Sequence, residues 1–462
     1  MKRLLLVYLP FCTPVSPPYS LAAMHAFLAA NSSAHIDVLD LNVLFHERKF
    51  PSYQEYFKNQ ERWSDYDDVS AQFLKETSHT YSENNKKVVR GEQPEFFDEL
   101  LNTLLAYKPD VVAFSIVYSS QAFFAKSMLL ALRERGITTI IGGPATNAKL
   151  VALADHTLAN EIELLAFIEE KKISHDALDF SSYPLFETWN LKAYFIPTPV
   201  LPLKTTTTCF HKKCTFCAHY AKVPYFEYDM NMIKKTILAS KEHQFFLIDD
   251  MIPKKRLLEF AAMVRSLQCT WSCQLRPTKD LDFKTLKTLA DAGLVMVIWG
   301  FESGSQRILD LIQKGTAVDD VEQVVRDAKK AGIANVLYTM FGFPTETKEE
   351  LLQTIEFLER NKDNIDLISS STFGLQEGTP VYENYKEFGI TKIVKKERTV
   401  LEPQITFEVA SGLQQKEVMV IKNRLKKRIE AINKYPKTMN FFREHMMLAI
   451  KKDYKQRSSS TE

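Results

Sequence analysis

The sequence predicts an α/β protein with two parallel sheets, one in each half of the chain, followed by a helical extension. Apolar runs of strand length alternate with helical stretches, the alternation stops at a proline-containing segment, and it then resumes. The 462 residues suffice for about three domains of ~150 residues each. We therefore predict a doubly wound sheet over residues 1–180, a linker over 181–202, a second sheet over 203–391 and an extension over 392–462.

The composition excludes several classes of protein. A hydrophobic share of 45% and a charged share of 25% are typical of folded globular chains. The net charge of +2 gives no global reason to expect a nucleic acid or a membrane surface as partner, and no apolar run approaches the ~18 residues that span a bilayer. The apolar run after Lys2 and Arg3 imitates a signal peptide, but Pro10 interrupts it and no cleavage site follows. Only six cysteines occur, three of them clustered, so we expect a cytoplasmic protein.

The first half of the chain predicts a Rossmann-like sheet. A polar, aromatic-rich insertion over residues 46–95 interrupts its strands and helices. We predict strands at 3–9, 35–41, 111–117 and 138–141, and helices at 20–30, 96–107 and 121–135. Gly142 and Gly143 end the last strand, where sheets of this kind bind their ligands.

The second half predicts a partial (β/α)6 barrel, because six strand-like runs are each followed by a helical stretch or a loop. The predicted strands are 203–207, 245–248, 270–274, 295–300, 336–341 and 367–373, and the predicted helices are 230–242, 253–267, 283–292, 305–313, 318–332 and 348–361. A basic helix over residues 414–434 and a frayed polar end over 455–462 complete the chain.

Three cysteines directly after the first barrel strand give the sharpest chemical signal. Cys209, Cys214 and Cys217 lie within nine residues. Such a loop can hold an iron–sulfur cluster and leave one iron without a protein ligand. A zinc site is the alternative, with His211 or His219 as a fourth ligand. Spacing alone also leaves open that the thiols are inert.

In this loop the sequence resembles the radical S-adenosylmethionine (SAM) superfamily, whose barrel begins with CxxxCxxC and has an aromatic residue before the last cysteine. Phe216 stands at the aromatic position. The likeness continues over most of residues 203–390, through FLIDD at 246–250, WSCQLR at 271–276, GFESGS at 300–305 and FGFPTET at 341–347. One departure is that four residues, 210–213, separate the first two cysteines here.

The resemblance implies that the three cysteines hold a 4Fe-4S cluster, and that the open iron binds SAM. An electron from the cluster then cleaves SAM to a 5′-deoxyadenosyl radical. It further implies that Glu302 accepts hydrogen bonds from the ribose hydroxyls with help from Ser303, and that Phe216 packs near the adenine. Asp249 and Arg276 are further candidates for cofactor binding, since an arginine can pair with a carboxylate at two points.

The first domain resembles the cobalamin-binding domain that precedes the barrel in one branch of this superfamily. The similar features are the first strand, PPYSL at residues 17–21, DVLDLN at 37–42, PDVV at 109–112 and IGGP at 141–144. No DxHxxG motif, whose histidine ligates cobalt in many cobalamin proteins, is present. Cobalamin is therefore an optional cofactor in this prediction.

Several other residues are expected to be structural. Cys269 and Cys273 flank Trp271 and predict buried thiols, and Cys12 likewise predicts a structural thiol. His219 and Tyr220 directly follow the third cluster cysteine and could line the site. The basic helix, which contains Lys422, Arg424, Lys426, Lys427 and Arg428, predicts a solvated face, with guidance of an acidic peptide or a nucleic acid as the alternative.

Together these features predict a radical SAM enzyme that C-methylates or otherwise modifies a peptide or small natural product. The first alternative is a cobalamin-independent radical SAM enzyme that cross-links, epimerises or rearranges its substrate. The second is a zinc- or cluster-bearing binding module without catalysis. Such a module would not cleave SAM and would not need the region around Glu302. An electron donor such as flavodoxin or ferredoxin is the implied protein partner, and neither a membrane nor a nucleic acid is expected.

Overall fold

The computed structural model describes residues 2–174, 178–180, 182, 184, 186, 189–218 and 223–459. The chain divides into two compact units. The first contains residues 1–202, 235–242 and 397–403, and the second contains residues 203–234, 243–396 and 404–462. Among the described residues, no helix combines the length and the apolar character needed to cross a bilayer.

The first unit is built on a five-stranded parallel sheet of order β2-β1-β3-β4-β5. Its strands are β1 (Arg3–Tyr8), β2 (His35–Asp40), β3 (Val111–Ser115), β4 (Thr138–Gly142) and β5 (His156–Thr157). Its helices are α1 (Tyr19–Asn31), α2 (Leu41–Lys49), α3 (Pro51–Lys58), α4 (Tyr66–Val89), α5 (Phe97–Ala106), α6 (Ala122–Arg133), α7 (Ala148–Val151) and α8 (Glu161–Glu169). The sheet confirms the predicted doubly wound fold and adds β5, which is too short to leave a sequence signal.

The aromatic-rich insertion is helical, which its mixed pattern did not predict. Pro51 begins α3, where its missing N–H costs no helical hydrogen bond. Phe57 of α3 and Phe73 of α4 are almost fully buried, and their ring centroids lie 5.4 Å apart. Aromatic packing therefore holds the inserted helices together.

The second half of the chain carries a six-stranded sheet of order β11-β10-β9-β8-β7-β6, in which the pairs from β7 to β11 are parallel. Its strands are β6 (Leu201–Leu203), β7 (Gln244–Leu247), β8 (Thr270–Leu275), β9 (Leu294–Glu302), β10 (Ala334–Phe341) and β11 (Leu367–Thr372). The helices are α9 (Met230–Ser240), α10 (Lys254–Val264), α11 (Phe283–Asp291), α12 (Gln306–Leu311), α13 (Val318–Lys330), α14 (Lys348–Arg360), α15 (Pro380–Glu383), α16 (Gln415–Glu430) and α17 (Arg443–Ser459). Sequential parallel strands with intervening helices confirm the partial barrel.

The extension differs from the predicted helical segment. It contains the antiparallel hairpin of β12 (Ile390–Lys396) and β13 (Gln404–Val409) before α16. Most of β12 is exposed, so the hairpin lacks the apolar alternation that identifies a half-buried strand. Helix α17 reaches Ser459, within the segment expected to be frayed.

Candidate active site

The loop after β6 carries the three clustered cysteines. Cys209, Cys214 and Cys217 are free thiols and partly exposed. Burial raises the pKa of Cys214 to about 11, the Lys314 ammonium opposes this shift, and the other two thiols add to it. The three sulfur atoms therefore lie close enough to interact. Within the described residues, no three His, Cys, Asp or Glu side chains are grouped so as to hold one metal ion; each iron of a cluster takes its own protein sulfur, so its cysteines need not surround a common point.

Two cations lie beside this loop. The guanidinium carbon of Arg276 is 5.9 Å from the ring centroid of Phe210, and Nζ of Lys314 is 5.8 Å from that of Phe216. Burial lowers the pKa of Arg276, while the thiols of Cys214 and Cys209 act in the opposite direction. Fixed positive charges stabilise thiolates, the form of cysteine that binds metals. Three soft sulfur donors on one loop next to two cations fit an iron–sulfur cluster.

Asp249 fixes the start of the cysteine loop. The residue is 2% exposed, and its Oδ1 accepts hydrogen bonds from the backbone N–H of Thr205 at 2.9 Å and of Thr206 at 2.6 Å. Both threonine hydroxyls also donate to it, at 3.0 and 2.8 Å. The strand β6 therefore ends at Leu203, earlier than predicted, because the following backbone turns toward this carboxylate. Asp249 was expected to bind a cofactor, but its contacts are those of a residue that positions the loop.

His211, between the first two cysteines, connects the loop to Arg276. Nη1 of Arg276 lies 2.5 Å from Nδ1 of His211, and Nε2 of His211 lies 2.9 Å from the carbonyl oxygen of Gln313. Because arginine only donates, these contacts assign a neutral ring with its proton on Nε2. A Cβ at Gly315, which has φ +68°, would lie 2.8 Å from Nη1 and 3.0 Å from Cε1 of His211. The segment between Cys209 and Cys214, which is one residue longer than in CxxxCxxC, is thus held by close packing of His211 against Arg276 and Gly315.

Glu302 ends β9 and pairs with Lys314. The distance from Nζ to Oε1 is 2.7 Å, and the side chains are 7% and 13% exposed for Lys314 and Glu302. Burial lowers the pKa of Lys314, but Glu302 and Cys214 together raise it above its ordinary value, so the ammonium stays charged. A Cβ at Gly300 would lie 2.6 Å from Nζ, and so a glycine is needed for this approach. Glu302 itself has φ +66°, a strained conformation that is common at functional sites.

Ser303, next to Glu302, is enclosed by the protein. Ser303 is fully buried, its Oγ lies 3.2 Å from Oγ1 of Thr354, and it accepts a hydrogen bond from the N–H of Ser305. This hydroxyl is enclosed by protein groups, and its expected contact with a ribose stays a prediction. Phe216 is partly buried against an apolar cluster that includes Ile308 and Phe343. His219 and Tyr220 lie outside the described residues.

Sequence reasoning missed Lys314 and Tyr338. Lys314 lacks a motif, but it precedes a glycine just beyond α12, where helix ends commonly place such residues. Tyr338 of β10 has a buried hydroxyl without a hydrogen-bond partner among the described residues. Burial raises its pKa, and Arg443 and Glu302 act on it in opposite directions. The phenol therefore lies near Glu302 in the same site.

In the first unit, buried polar residues occupy the carboxyl edge of the sheet. Asp40 caps α2 by accepting from the N–H groups of Asn42 and Val43, and the hydroxyl of Tyr194 donates to it at 2.9 Å. Burial raises the pKa of Asp40 to about 6. The expectation of a structural Cys12 fits its burial, which raises the thiol pKa to about 12.

His46, which follows this edge in α2, is not available to a ligand. Its Nδ1 lies 2.8 Å from the carbonyl oxygen of Asn42, and burial lowers its pKa to about 4. Gly142 and Gly143 serve close packing, since Cβ atoms there would lie 2.8 Å from the Leu158 oxygen and 2.5 Å from the Ile116 oxygen. If this edge binds cobalamin, the residues seen here fit a mode without a histidine ligand to cobalt.

Comparison with known proteins matches part of the chain to a family model and nearly all of it to known folds. Residues 203–358 match the model of the Radical SAM superfamily. The chain is 24% identical over 296 residues to the bacteriochlorophyllide d C-8(2)-methyltransferase of Chlorobaculum tepidum. The aligned region covers 56% of this chain and 65% of the relative. This chain thus spans slightly less than two thirds of that relative's length.

Two solved structures share the fold across nearly the whole chain. One is the cobalamin-dependent SAM radical enzyme OxsB with aqua-cobalamin bound, with a TM-score of 0.65, 13% identity and coverage of 92% of this chain and 67% of OxsB. The other is the radical SAM methyltransferase TsrM from Kitasatospora setae with cobalamin and a [4Fe-4S] cluster bound, with a TM-score of 0.61, 14% identity and coverage of 94% and 89%. The family model therefore matches the second sheet and its helices as far as residue 358, and the two solved structures show the fold of the chain.

Proposed function

We propose that this protein is a radical SAM enzyme that holds a 4Fe-4S cluster through Cys209, Cys214 and Cys217. When bound, the cluster supplies the electron that cleaves SAM to a 5′-deoxyadenosyl radical. The observation that carries the proposal is the arrangement of three thiols in one loop, flanked by Lys314 and by Arg276. The match of residues 203–358 to the Radical SAM superfamily supports it.

Different residues around the loop would bind different parts of SAM or hold the loop. Glu302, fixed by Lys314, presents its second carboxylate oxygen at the carboxyl end of β9, where it can accept hydrogen bonds from ribose hydroxyls. Phe216, whose ring centroid lies 5.8 Å from Nζ of Lys314, would pack near the adenine. Arg276 adds positive charge beside the thiols, and Asp249 holds the loop in place.

For the overall reaction we propose C-methylation of a peptide or small natural product, with cobalamin bound by the first unit. The likeness to a curated methyltransferase and to two cobalamin-binding structures supports this choice. A structure of TsrM with its tryptophan substrate, a small molecule, also matches this chain at a TM-score of 0.62. Because the sequence has no DxHxxG motif, a cobalamin-independent radical SAM enzyme is the alternative that the experiment must distinguish. A flavodoxin or ferredoxin in the cytoplasm would supply the electron.

The cluster assignment is tested by one variant and its control. Cys217→Ala should abolish the cluster absorbance and the production of 5′-deoxyadenosine after anaerobic reconstitution. Cys273→Ala should leave both intact, because Cys273 is fully buried in β8. A full cluster in Cys217→Ala would contradict the assignment. If the protein is instead a zinc-bearing binding module, neither Cys217→Ala nor Cys273→Ala would produce 5′-deoxyadenosine.

The methyl-transfer proposal requires a second measurement. The purified protein is reconstituted with iron, sulfide and hydroxocobalamin, and its optical spectrum and its 5′-deoxyadenosine output with dithionite are recorded. Retained cobalamin together with nucleoside supports a methyltransferase. Nucleoside without cobalamin contradicts methylation and favours the enzyme that cross-links, epimerises or rearranges.

A further inference from the structure

The last helix, α17, lies across one face of the six-stranded sheet. The hydroxyl of Ser272 in β8 donates to Sδ of Met447 at 3.2 Å. The guanidinium carbon of Arg443 lies 5.3 Å from the ring centroid of Tyr338 in β10. Arg443 and Met447 are four residues apart in the helix, so they lie on the same side of it. One side of α17 therefore reaches two strands that have β9 between them.

The same face of the sheet carries the ion pair of Glu302 and Lys314. Tyr338 is paired in register with Gly300 of β9, so side chains at these two positions point to the same face. A Cβ at Gly300 would lie 2.6 Å from Nζ of Lys314 and 3.2 Å from Oε1 of Glu302. The ring of Tyr338, with Arg443 over it, is therefore on the side of the sheet where SAM is proposed to bind.

Two hydrogen-bond donors on this face lack an anionic partner. The hydroxyl of Tyr338 is buried and has no hydrogen-bond partner among the described residues. In that same part of the chain, no carboxylate forms an ion pair with Arg443, and Glu302 is held by Lys314. A buried polar group without a partner is unfavourable and uncommon in folded proteins. The phenol therefore indicates a ligand that accepts a hydrogen bond.

The charges on this face favour a carboxylate as the ligand. A carboxylate can accept from a phenol and from a guanidinium at the same time, and it neutralises one positive charge. A neutral carbonyl would leave the charge of Arg443 uncompensated. A phosphate dianion would bring a second negative charge toward Glu302 and Glu444, whose charges both act on the phenol of Tyr338. One cation beside two carboxylates thus fits a monoanion best.

We propose that Tyr338 and Arg443 form a subsite for a carboxylate group of the substrate. The inference rests on the proposed function and makes its substrate a carboxylic acid, such as an amino acid or the carboxyl end of a peptide. The subsite lies on the same face as Glu302, which is proposed to bind the ribose of SAM. A carboxylate held there would anchor one end of the substrate and limit which carbon atoms reach the radical.

A pair of Tyr→Phe substitutions tests whether the phenol lacks a partner within the protein. Tyr338→Phe removes a buried hydroxyl that bonds to no described group, so the melting temperature should stay the same or rise. Tyr194→Phe is the matched control, because its buried hydroxyl donates to Asp40 at 2.9 Å, and it should lower the melting temperature. A loss in Tyr338→Phe as large as that in Tyr194→Phe would overturn the proposal.

Carboxylate binding is measured on the reconstituted protein by ligand-observed NMR. The probes are trifluoroacetate and benzoate, each compared with its amide. The wild type should bind each acid at least about fivefold more tightly than the amide. Arg443→Gln should remove this preference, and Tyr338→Phe should weaken binding of the acids by about fivefold. Arg326→Gln, which removes a charge at an exposed position of α13, should bind like the wild type.

The conservative variant Arg443→Lys separates a lost subsite from a misfolded protein. It keeps the charge without the two-point geometry of a guanidinium, so it should retain part of the preference for acids. Equal affinity of the wild type for acids and amides, or an unchanged preference in Arg443→Gln, would overturn the proposal.

A last measurement distinguishes the carboxylate of the substrate from that of SAM. The SAM concentration that gives half-maximal 5′-deoxyadenosine with dithionite should be the same in Arg443→Gln and in the wild type. An increase in Arg443→Gln would assign the subsite to the carboxylate of SAM and overturn the proposal. Absence of 5′-deoxyadenosine in the wild type would reject the proposed function instead, whereas the two preceding experiments do not depend on cleavage of SAM.

Discussion

Nζ of Lys314 lies 2.7 Å from Oε1 of Glu302, and the two side chains are almost completely removed from solvent. Glu302 ends β9, and Lys314 follows α12 and acts on the thiol of Cys214. The ion pair therefore connects the strand end proposed to bind the ribose with the loop proposed to bind the cluster. Substitution of either Glu302 or Lys314 should therefore affect both the end of β9 and the cysteine loop.

A double-mutant cycle measures this pair. Glu302→Gln and Lys314→Met should each lower the free energy of unfolding by about 3 kcal/mol, since removal of one partner leaves a buried charge uncompensated. The double variant should lose less than the sum, by at least about 1 kcal/mol. Urea unfolding followed by fluorescence gives the values. The exposed pair of Lys287 and Asp291 is the control, with an expected coupling below ~1 kcal/mol. Additive losses at Glu302 and Lys314 would contradict this account.

The fastening of the cysteine loop is tested at Gly315. Gly315→Ala would place a Cβ 2.8 Å from Nη1 of Arg276 and 3.0 Å from Cε1 of His211, at φ +68°. We expect a loss of stability and a lower iron content per chain after reconstitution, because the loop must shift. Gly332→Ala, at φ +88° with no atom within 4 Å of its Cβ, imposes the backbone strain alone, about 1–2 kcal/mol. Similar iron contents in the two variants would show that the contact with Arg276 and His211 is unimportant.

Most of the architecture could be predicted because periodicity reports which faces are buried. The strands β1 and β9 are buried over nearly their whole length, and continuous apolar runs of that kind identify parallel strands. The hairpin of β12 and β13 could not be predicted, because its exposed lysines and glutamates give no apolar alternation. The inserted helices were missed for the opposite reason, since their aromatic residues pack mainly on one another.

Neighbouring aspartates at 249 and 250 provide a third test. Asp249→Asn should lower the melting temperature and the iron content, because one of the two accepting oxygens would become an amide nitrogen that faces the N–H group of Thr205. A buried donor without an acceptor costs about 1–3 kcal/mol. Asp250→Asn removes the same charge but only a long 3.5 Å contact with Thr208, so it should have little effect. Equal effects in the two variants would mean that charge matters here rather than the hydrogen bonds of Asp249.

The candidate site was predicted less completely than the fold. Motif positions identify strand ends, and Glu302 was found in this way, but they do not show whether a polar side chain faces a cavity or the protein. Ser303 follows Glu302 in the sequence and yet bonds to Thr354 in α14. Lys314 reaches Glu302 across twelve residues, a distance in sequence that no local pattern indicates. These contacts depend on tertiary packing, which one sequence alone does not report.

The last prediction concerns Glu346, which is fully buried in the loop after β10. The N–H of Gly342 donates to its Oε2, and its Oε1 has no hydrogen-bond partner among the described residues. Burial raises the pKa of this carboxyl from 4.5 to about 7. The folded protein therefore favours the protonated form.

The sign of the pH effect follows from this raised pKa. The contribution of Glu346 to stability is fully present below pH 4.5 and is lost as the pH rises to about 7, because the folded state must then bury a charge. Glu346→Gln keeps an acceptor for Gly342 and carries no charge. Relative to the wild type, its free energy of unfolding should increase between pH 4.5 and 7 and then level off. At ~1.36 kcal/mol per pH unit, the gain is about 3 kcal/mol.

Urea unfolding at pH 4.5, 5.5, 6.5 and 8 measures this difference, and Glu349→Gln, at an exposed position, controls for the loss of one charge. If the difference between Glu346→Gln and the wild type does not change with pH, the carboxyl is already ionised in the folded protein, and a residue or water must then approach Oε1.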